Sequence, residues 1–369
     1  MNAQNLPRWA DIGLLPVLNI LAALVVSGLI IALIGEDPFR AMGVMIKGAF
    51  VYKGALGYTL YYTTNFIFTG LAVAVAFHCA MFNIGGEGQA YIGGLGAGCA
   101  VLLADAILPG FLMIPFAVVF ASLFGAVWAL IPGWLQAVRG SHIVITTIMF
   151  NFIASTLIVA LLAGPMMRDG QGAPETRPFA ESAQMPYMHD LMAWFGIEAA
   201  RTPLNISLFL ALAAAVLVWF IIWRTRFGYA VRAMGFSPGA AEYAGMNSTR
   251  IIVLAMALSG ALAGLMASNA VLAEPHKLVL NFTGGYGFTG IAVALMGRNH
   301  PIGIVLAALL FGALTQGGTE LDFEFQTITR ETVLVVQGLI ILFSGALYYL
   351  FAPWVARVLN LTAKKEAAT

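Results

Sequence analysis

About ten runs of mostly apolar residues, each close to the length of a membrane-spanning helix, divide this sequence. A helix needs about 20 such residues to cross the hydrocarbon core of a bilayer, and it satisfies its backbone polar groups internally. Only 9% of the 369 residues are charged, against about 25% in an average soluble domain. The sequence therefore predicts an all-α, polytopic membrane protein. The predicted spans are residues 12–34, 56–77, 89–108, 111–133, 141–163, 204–223, 251–272, 286–298, 301–318 and 332–351.

The distribution of lysine and arginine predicts the orientation of these spans. Residues 12–34 are too long for a typical signal-peptide core and no small-residue cleavage site follows them, so we expect a first spanning helix. The segment Arg224–Arg250 carries four arginines and one glutamate, whereas Thr319–Glu331 carries four acidic residues and one arginine. Because basic residues favour the cytoplasmic side, the first segment is predicted inside and the second outside. Both termini are then cytoplasmic, in a cytoplasmic (inner) membrane.

Three segments do not read as spans within what is predicted to be a single transmembrane domain over residues 1–369. Residues 36–55 have apolar residues at helical spacing with lysines among them, which predicts an outer interfacial helix. Residues 164–203 are polar and proline-rich and are expected to form an outer loop. Residues 224–250 form the longest cytoplasmic loop.

The cytoplasmic loop contains a short helix signal. Ser237 is a favourable helix N-cap, Pro238 suits the first helical position, and Gly245 can end the helix in a left-handed conformation. Small residues between them would allow close approach to another surface. The loop is thus either an ordinary basic loop or a docking helix for a cytoplasmic partner.

Polar residues inside spans are costly and usually face a bundle interior or a water-filled cavity. Here amides lie beside aromatic rings, and the one arginine in a predicted span, Arg298, is the last residue of that span, which favours a path for a neutral polar solute. The alternative for each residue is a hydrogen bond that only joins neighbouring helices. The candidate path residues are Asn65, Phe82, Asn83, Glu87, Gln89, Thr147, Asn151, Asn269, Tyr286 and Phe288.

Two glycine clusters are dense enough to interrupt a helix. The first lies in FNIGGEGQ, residues 82–89, and the second spans residues 284–287. Paired breaks in the two halves of a transporter point to its binding site, so these clusters suggest an internal repeat. Glu87 is expected to accept hydrogen bonds from backbone N–H groups at the start of the helix that follows it. The more widely spaced pairs Gly94/Gly98 and Gly260/Gly264 instead predict close helix packing.

Enzymatic and nucleotide-binding motifs are missing from the sequence. No G-x-x-x-x-G-K-[ST] motif occurs, and the G-x-G-x-x-G match at residues 285–290 follows no strand. The five histidines lack zinc spacing, and no nucleophile or acid–base pair stands out. Cys79 and Cys99 lie in apolar surroundings and are interpreted as packing residues. We expect neither a metal site nor an enzyme.

The motifs together resemble a known family. TRFGYAVRAMGFSPGAAEYAGM (residues 225–246) followed by LSGALAGLMA (residues 258–267) is similar to the loop-plus-helix signature of ABC-importer permeases of the ribose, branched-chain amino acid and nucleoside type. FNIGGEGQAYIGG, ITTIMFNFIA and YGFTGIAVALMGRNHPIG, in that order, resemble the nucleoside or simple-sugar permeases that work with a basic-membrane-lipoprotein binding protein. The resemblance covers residues 35–345.

This resemblance implies a transport subunit with partners. They are a cytoplasmic ABC ATPase, an extracytoplasmic substrate-binding protein, and a second, shorter permease subunit in a heterodimer. The chain itself would need no cofactor, because the partner ATPase would bind ATP and Mg. Ala270-Val271 stands where the family pattern has Glu-Val, which puts the exact solute in doubt. By analogy, the residues coupled to the ATPase are Arg232, Ser237, Pro238, Gly239, Ala240, Ala241, Glu242 and Gly245.

Two alternatives stay open at this point. One is an ABC permease for a simple sugar rather than a nucleoside. The other is an ion-coupled secondary transporter that uses the intramembrane carboxylate of Glu87 as its cation or proton site. The docking helix favours the ABC importer, because an ion-coupled carrier needs no surface for an ATPase.

Overall fold

In the part of the chain that the computed structural model describes, the protein consists of helices joined by turns and irregular segments. The described residues are 7 and 10–358, apart from 169, 171, 326, 330, 331, 340, 341 and 344–350. Within them the only β-type pairing is an isolated bridge between Tyr187 and Asn205, so the predicted all-α class is confirmed. The helices are α1 (Leu15–Ile34), α2 (Pro38–Phe50), α3 (Ala55–Phe77), α4 (Gly86–Ala104), α5 (Gly110–Arg139), α6 (Ile143–Leu162), α7 (Met188–Trp194), α8 (Ser207–Arg224), α9 (Arg226–Phe236), α10 (Pro238–Tyr243), α11 (Ser248–Leu265), α12 (Ala267–Ala270), α13 (Tyr286–Met296) and α14 (Pro301–Glu324).

Seven helices in the described residues are long and apolar enough to cross a membrane. The predicted half-helix is α13, which has only 11 residues. The predicted span 89–108 corresponds to α4, which is rich in glycine and ends at Ala104. The last predicted span is helical over 332–339, but residues 344–350 fall outside the described part. The seven helices are Val17–Ile34, Ala55–Phe77, Gly110–Arg139, Ile143–Leu162, Ser207–Arg224, Ser248–Ala270 and Pro301–Glu324.

The chain divides into two compact units, and the smaller comprises Met1–Tyr52 and Leu314–Thr369. In this unit the Asp37 carboxylate caps α2 by accepting a hydrogen bond from the Phe39 N–H at 2.9 Å. The buried face of α2 packs on α14, where Gly48 lies directly against the side chain of Glu320. Its opposite face is exposed. Its position on the outer surface of a bilayer stays a prediction.

The larger unit, Lys53–Ala313, has a core of closely packed helices. Gly260 and Gly264 of α11 contact the backbone of α5 so tightly that a Cβ at either position would overlap it. The predicted packing role of this pair is therefore confirmed. The pair Gly94/Gly98 instead faces the Phe282 ring and the Leu278 side chain, and the neighbouring Gly93 makes the backbone contact with α11. The prediction was wrong there by one residue, because spacing alone does not define which face of a glycine-rich helix meets its neighbour.

The segment 164–203 contains a 3₁₀ turn, Glu181–Ala183, and α7. It lies alongside the irregular stretch 271–285 that precedes α13, and backbone hydrogen bonds join the two. In one of them the Phe179 N–H donates to the His276 carbonyl at 2.7 Å. An ion pair between Lys277 and Glu175, 2.7 Å long, joins the same two stretches. This segment is thus anchored to one of the two helix breaks.

Candidate translocation and docking sites

The first helix break lies between α3 and α4, and side-chain amides replace the backbone hydrogen bonds that it lacks. The Asn83 Nδ2 group donates to Gln89 Oε1 at 3.0 Å and to Ser259 Oγ at 2.8 Å. The Asn83 Oδ1 atom accepts from the Gly85 N–H at 2.8 Å. Because buried polar groups are costly without partners, this network stabilises a non-helical turn inside the protein.

Asn151 on α6 holds the other side of the same break. Its Nδ2 donates to the Ile84 carbonyl at 2.9 Å, and its Oδ1 accepts from the Gly88 N–H at 2.8 Å. A Cβ at Gly88 would lie 2.8 Å from the Asn151 Cα atom. The glycine therefore allows α6 to approach close enough for one amide to satisfy two backbone groups.

Glu87 joins the two helix breaks. Its Oε1 accepts hydrogen bonds from the Thr283 hydroxyl at 2.5 Å and the Gly285 N–H at 3.0 Å, and its Oε2 accepts from the Gly287 N–H at 2.8 Å. These donors lie at the N-terminus of α13, where a carboxylate is favoured by the helix dipole and by the unpaired N–H groups. The sequence led us to expect donors from α4, the helix that contains Glu87. The observed donors lie about 200 positions further along the chain, which local pattern does not reveal.

The two glycine clusters themselves are in contact. A Cβ at Gly287 would overlap the backbone of Glu87, and one at Gly86 would lie 3.4 Å from the Gly287 carbonyl oxygen. Gly285 begins α13 with a left-handed backbone, φ 80°. The two breaks therefore meet directly, whereas the predicted internal repeat stays a prediction.

Asn269 forms a second amide network between α3 and α8. Its Nδ2 donates to the Tyr61 carbonyl at 3.0 Å and to Asn65 Oδ1 at 2.9 Å. Its Oδ1 accepts from Asn205 Nδ2 at 2.7 Å and from Ser207 Oγ at 2.9 Å. All four hydrogen-bonding positions of this amide are used.

The predicted path residues thus divide by exposure. Tyr286 is half-buried against the rings of Tyr62 and Phe66, Phe82 is half-buried, and Phe288 is 49% exposed. Among these residues the aromatic side chains retain accessible surface, whereas the amides bind mainly to the protein itself. Contact with a solute stays a prediction for the whole set. The buried polar members are Asn65, Asn83, Glu87, Gln89, Thr147, Asn151 and Asn269.

The docking helix has the predicted local structure. The Ser237 hydroxyl accepts a hydrogen bond from the Ala240 N–H at 3.4 Å, Pro238 is the first residue of α10, and Gly245 has φ 80°. Ala241 is buried, but the remainder of α10 is exposed. Arg232 lies on α9, where it is half-buried and bonds to the Gly228 carbonyl rather than extending beside α10.

The sequence prediction did not include two exposed aromatic residues that lie beside the predicted docking residues. Phe236 ends α9 and is 91% exposed, and Tyr243 is the last residue of α10 and is 96% exposed. Aromatic side chains without cover in a polar loop are typical anchors for a partner. The sequence contained this signal, since both residues stand in an otherwise small-residue and basic segment.

The docking region rests on the turn that precedes the first helix break. Gly235 of α9 contacts the His78 carbonyl so closely that a Cβ would overlap it. The His78 Nε2 group donates to the Asn299 carbonyl at 3.0 Å, in the turn between α13 and α14. Burial lowers the pKa of His78, which favours its neutral form. Helix α9, the turn after α3 and the turn after α13 are therefore in continuous contact, and we call this region the α9 junction.

No group of three or more potential metal ligands occurs within the described residues. Cys79 and Cys99 are free thiols, the first buried and the second half-buried. Burial raises the pKa of the Cys79 thiol to about 12, which keeps it protonated and unreactive.

The fold is that of a multi-pass helical membrane protein with two broken helices and a short exposed helix, α10. Residues 55–345 match the family described as "Branched-chain amino acid transport system / permease component". The chain belongs to this family, and it is the permease component of an ABC importer. It is thus a transport subunit of the cytoplasmic membrane that functions with an ATPase and a binding protein.

Several relatives are similar over nearly the whole chain, and another is similar over less than half of it. The glucose ABC transporter permease TsgB13 of Haloferax volcanii is 33% identical and covers 92% of this chain and 88% of its own. The guanosine ABC transporter permease NupP of Bacillus subtilis is 34% identical and covers 91% and 93%. The nucleoside ABC transporter permease NupB of Lactococcus lactis is 33% identical and covers 89% and 90%. A second guanosine permease of Bacillus subtilis, NupQ, is 31% identical over 42% of this chain and 44% of its own.

Proposed function

We propose that this permease subunit carries a nucleoside or a related neutral, hydroxylated solute, and that a separate ATPase drives alternating access through α10. The observation that carries this proposal is the α9 junction, which adjoins α10. There α9, the turn after α3 and the turn after α13 are in direct contact. A displacement of α10 therefore reaches both broken helices through packed backbone rather than through a flexible linker.

The surface of α10 suits an apolar pocket on the ATPase. Phe236 and Tyr243 supply two exposed rings, and among the described residues nothing outside the helix's own backbone lies within 4 Å of a Cβ position at Gly239, between them. Small residues allow the helix to enter a cleft, while rings fill pockets that exclude water. ATP and Mg would then bind to the ATPase, which agrees with the lack of a P-loop in this chain.

The solute class is supported by the relatives and by the chemistry of the candidate path. NupP and NupB are named for guanosine and nucleosides. Half-buried Phe82 and Tyr286 and exposed Phe288 offer ring faces on which a base can stack. A simple sugar is the second candidate, because TsgB13 is named for glucose.

A heterodimer with a second permease is part of the proposal. NupP and NupQ are both named as guanosine permeases of one bacterium, and both resemble this chain. Two such subunits side by side would enclose a path that neither forms alone. The extracytoplasmic binding protein would deliver the solute to the outer end of this path.

The ion-coupled alternative finds little support in the geometry. A proton or cation site needs a carboxylate that can exchange its ligands during transport. Both oxygens of Glu87 already accept hydrogen bonds from Thr283, Gly285 and Gly287. This carboxylate is better suited to hold two helix ends together.

Reconstitution tests the driving force. Proteoliposomes that contain this chain, its partner permease, the ATPase and the binding protein should accumulate guanosine only when ATP is supplied. Vesicles that lack the ATPase should not accumulate it under a proton or sodium gradient. Ion-driven accumulation in those vesicles would contradict the proposed mechanism.

A bulky substitution tests the docking surface. Gly239→Trp should abolish uptake and ATP hydrolysis coupled to the binding protein, because the indole would block close approach of α10 to the ATPase. The matched control is Gly43→Trp on α2, another helical glycine where, in the described part of the chain, nothing outside the helix's own backbone lies within 4 Å of a Cβ. Equal uptake by the two variants would contradict the docking assignment.

A further inference from the structure

A cavity of about 320 Å³ is lined by none of the candidate path residues and none of the residues predicted to couple to the ATPase. Its walls come from separate stretches of the larger unit: Tyr58 in the first turn of α3, Tyr187 and His189 at the start of α7, Arg201 before α8, and Glu274 before α13. This volume falls at the lower end of the range of about 300–1,000 Å³ for small-molecule sites. By the predicted orientation the cavity opens on the outer side.

The carboxylate of Glu274 is held in place by one of its oxygens. The Tyr61 hydroxyl donates to Glu274 Oε2 at 2.5 Å, and Tyr61 itself is only 3% exposed. The other oxygen, Oε1, accepts no hydrogen bond within the part of the chain that the structure describes. One fixed oxygen orients the group while the second remains available to a ligand.

The aromatic wall of the cavity is also held in place. The Tyr187 and His189 rings stack with their centroids 5.1 Å apart and their planes 22° apart. The Tyr187 hydroxyl lies 2.8 Å from His276 Nε2, and His276 Nδ1 lies 3.0 Å from the Leu272 carbonyl. Because a carbonyl only accepts, Nδ1 carries the proton and Nε2 accepts from the tyrosine. This chain of hydrogen bonds orients the Tyr187 ring from behind.

The groups in this cavity select the chemistry of a ligand. A carboxylate oxygen is an acceptor only, so it binds hydroxyl or amino hydrogens. The guanidinium of Arg201 shares the cavity without an ion pair to Glu274, which disfavours a cationic ligand as well as an anionic one. The tyrosine and histidine rings provide a flat apolar surface for a ring system. These features together fit a neutral molecule with adjacent hydroxyl groups and a planar or sugar ring.

We propose that this cavity is a reception site for the vicinal hydroxyl groups of the incoming solute, with Glu274 Oε1 accepting from the diol and the Tyr187–His189 pair covering the attached ring. A carboxylate serves the same purpose toward the ribose of dinucleotides in other folds. The proposal rests on the proposed function, because it assigns the entry point of the same solute. It places recognition outside the amide networks, whose central amides, Asn83 and Asn269, form all their hydrogen bonds with the protein.

The experiment compares uptake of a ribonucleoside with uptake of its 2′,3′-dideoxy analogue by the complete reconstituted transporter. Glu274→Gln keeps an acceptor for Tyr61 but replaces a charged acceptor by a neutral amide. We expect the preference for the ribonucleoside, measured as the ratio of the two kcat/KM values, to fall about tenfold. Glu198→Gln is the control, since Glu198 is exposed on the segment between α7 and α8 and does not line the cavity.

Each outcome decides the proposal. An unchanged ratio in Glu274→Gln overturns it and leaves the nucleoside assignment intact. An equal loss for both solutes, together with weaker ATPase stimulation by the binding protein, also overturns it, because the cavity is then a docking surface for that protein. If the wild type carries no nucleoside but carries ribose or glucose, the solute class changes. A lower affinity of Glu274→Gln for that sugar then still supports a diol site, and an unchanged affinity refutes it.

Discussion

The region where the two helix breaks meet is built in the opposite way to α10, the predicted docking helix. Where the breaks meet, Glu87 and Asn151 bind to groups that are distant in the sequence, and both side chains are buried. At α10, Ser237 caps the helix that follows it, and the side chains of Phe236 and Tyr243 extend into solvent. The first region depends on long-range hydrogen bonds, whereas the second is a local structure that exposes its largest side chains.

This difference separates two kinds of function. Buried polar groups with satisfied hydrogen bonds stabilise one arrangement strongly, because breaking any one of them leaves a buried donor or acceptor unpaired. Exposed rings contribute little to folding and remain free to bind a partner. Substitutions where the two breaks meet should therefore affect the stability of the fold. Substitutions on α10 should affect the coupling of transport to the ATPase.

The largest effect is expected for Glu87→Ala. It leaves the Thr283 hydroxyl and two backbone N–H groups at the start of α13 without their acceptor, which should destabilise the protein by about 3 kcal/mol or more. Thermal unfolding in detergent, followed by the loss of monodisperse protein, measures this effect. Glu198→Ala is the control, and equal melting temperatures for the two variants would disprove the clamp role of Glu87.

A smaller loss of stability is expected for Gly287→Ala. The added methyl group overlaps the Glu87 backbone, so the two helix breaks must separate, at a cost of about 1–3 kcal/mol. Gly239→Ala adds the same group at a position where no described residue beyond the helix's own backbone lies within 4 Å. The same unfolding assay should show a lower melting temperature for the first variant only. A stable Gly287→Ala protein would mean that the contact between the breaks is loose.

The double variant Phe236→Ser, Tyr243→Ser should leave stability unchanged but reduce coupling. Removing two exposed rings costs little in folding, whereas loss of anchor residues typically weakens a complex by more than about tenfold. Pull-down of the ATPase and uptake by the reconstituted transporter measure this effect. Phe236→Tyr, which keeps a ring, is the matched control. Normal ATPase binding by the double variant would remove these residues from the interface.

The smallest effect is expected for Ser237→Ala. Loss of an N-cap costs about 0.5–2 kcal/mol, and the observed bond is long at 3.4 Å, which favours the lower end of that range. The helix has only six residues, so its end should open without global unfolding. Hydrogen exchange of the α10 amides should be faster, with an unchanged melting temperature. Unchanged exchange would show that α10 is held by packing through Ala241 rather than by its cap.

The sequence by itself determined the features whose causes are local. Apolar runs of helical length define the spans, and Ser237, Pro238 and Gly245 define α10, because capping depends on residues within one turn. The glycine clusters also marked the two helix breaks. Each of these signals can be read without knowledge of any distant residue.

Tertiary structure alone decided which groups meet across these breaks. Glu87 was expected to act within α4, but it binds the N-terminus of α13, about 200 positions away. Gly93, rather than Gly94, meets α11, because one residue turns a helix face by about 100°. The cavity around Glu274 is assembled from stretches of chain that share no pattern. Such contacts depend on how the helices pack. The residues that surround a hydrogen-bonding side chain in the sequence do not indicate which distant group it will bind.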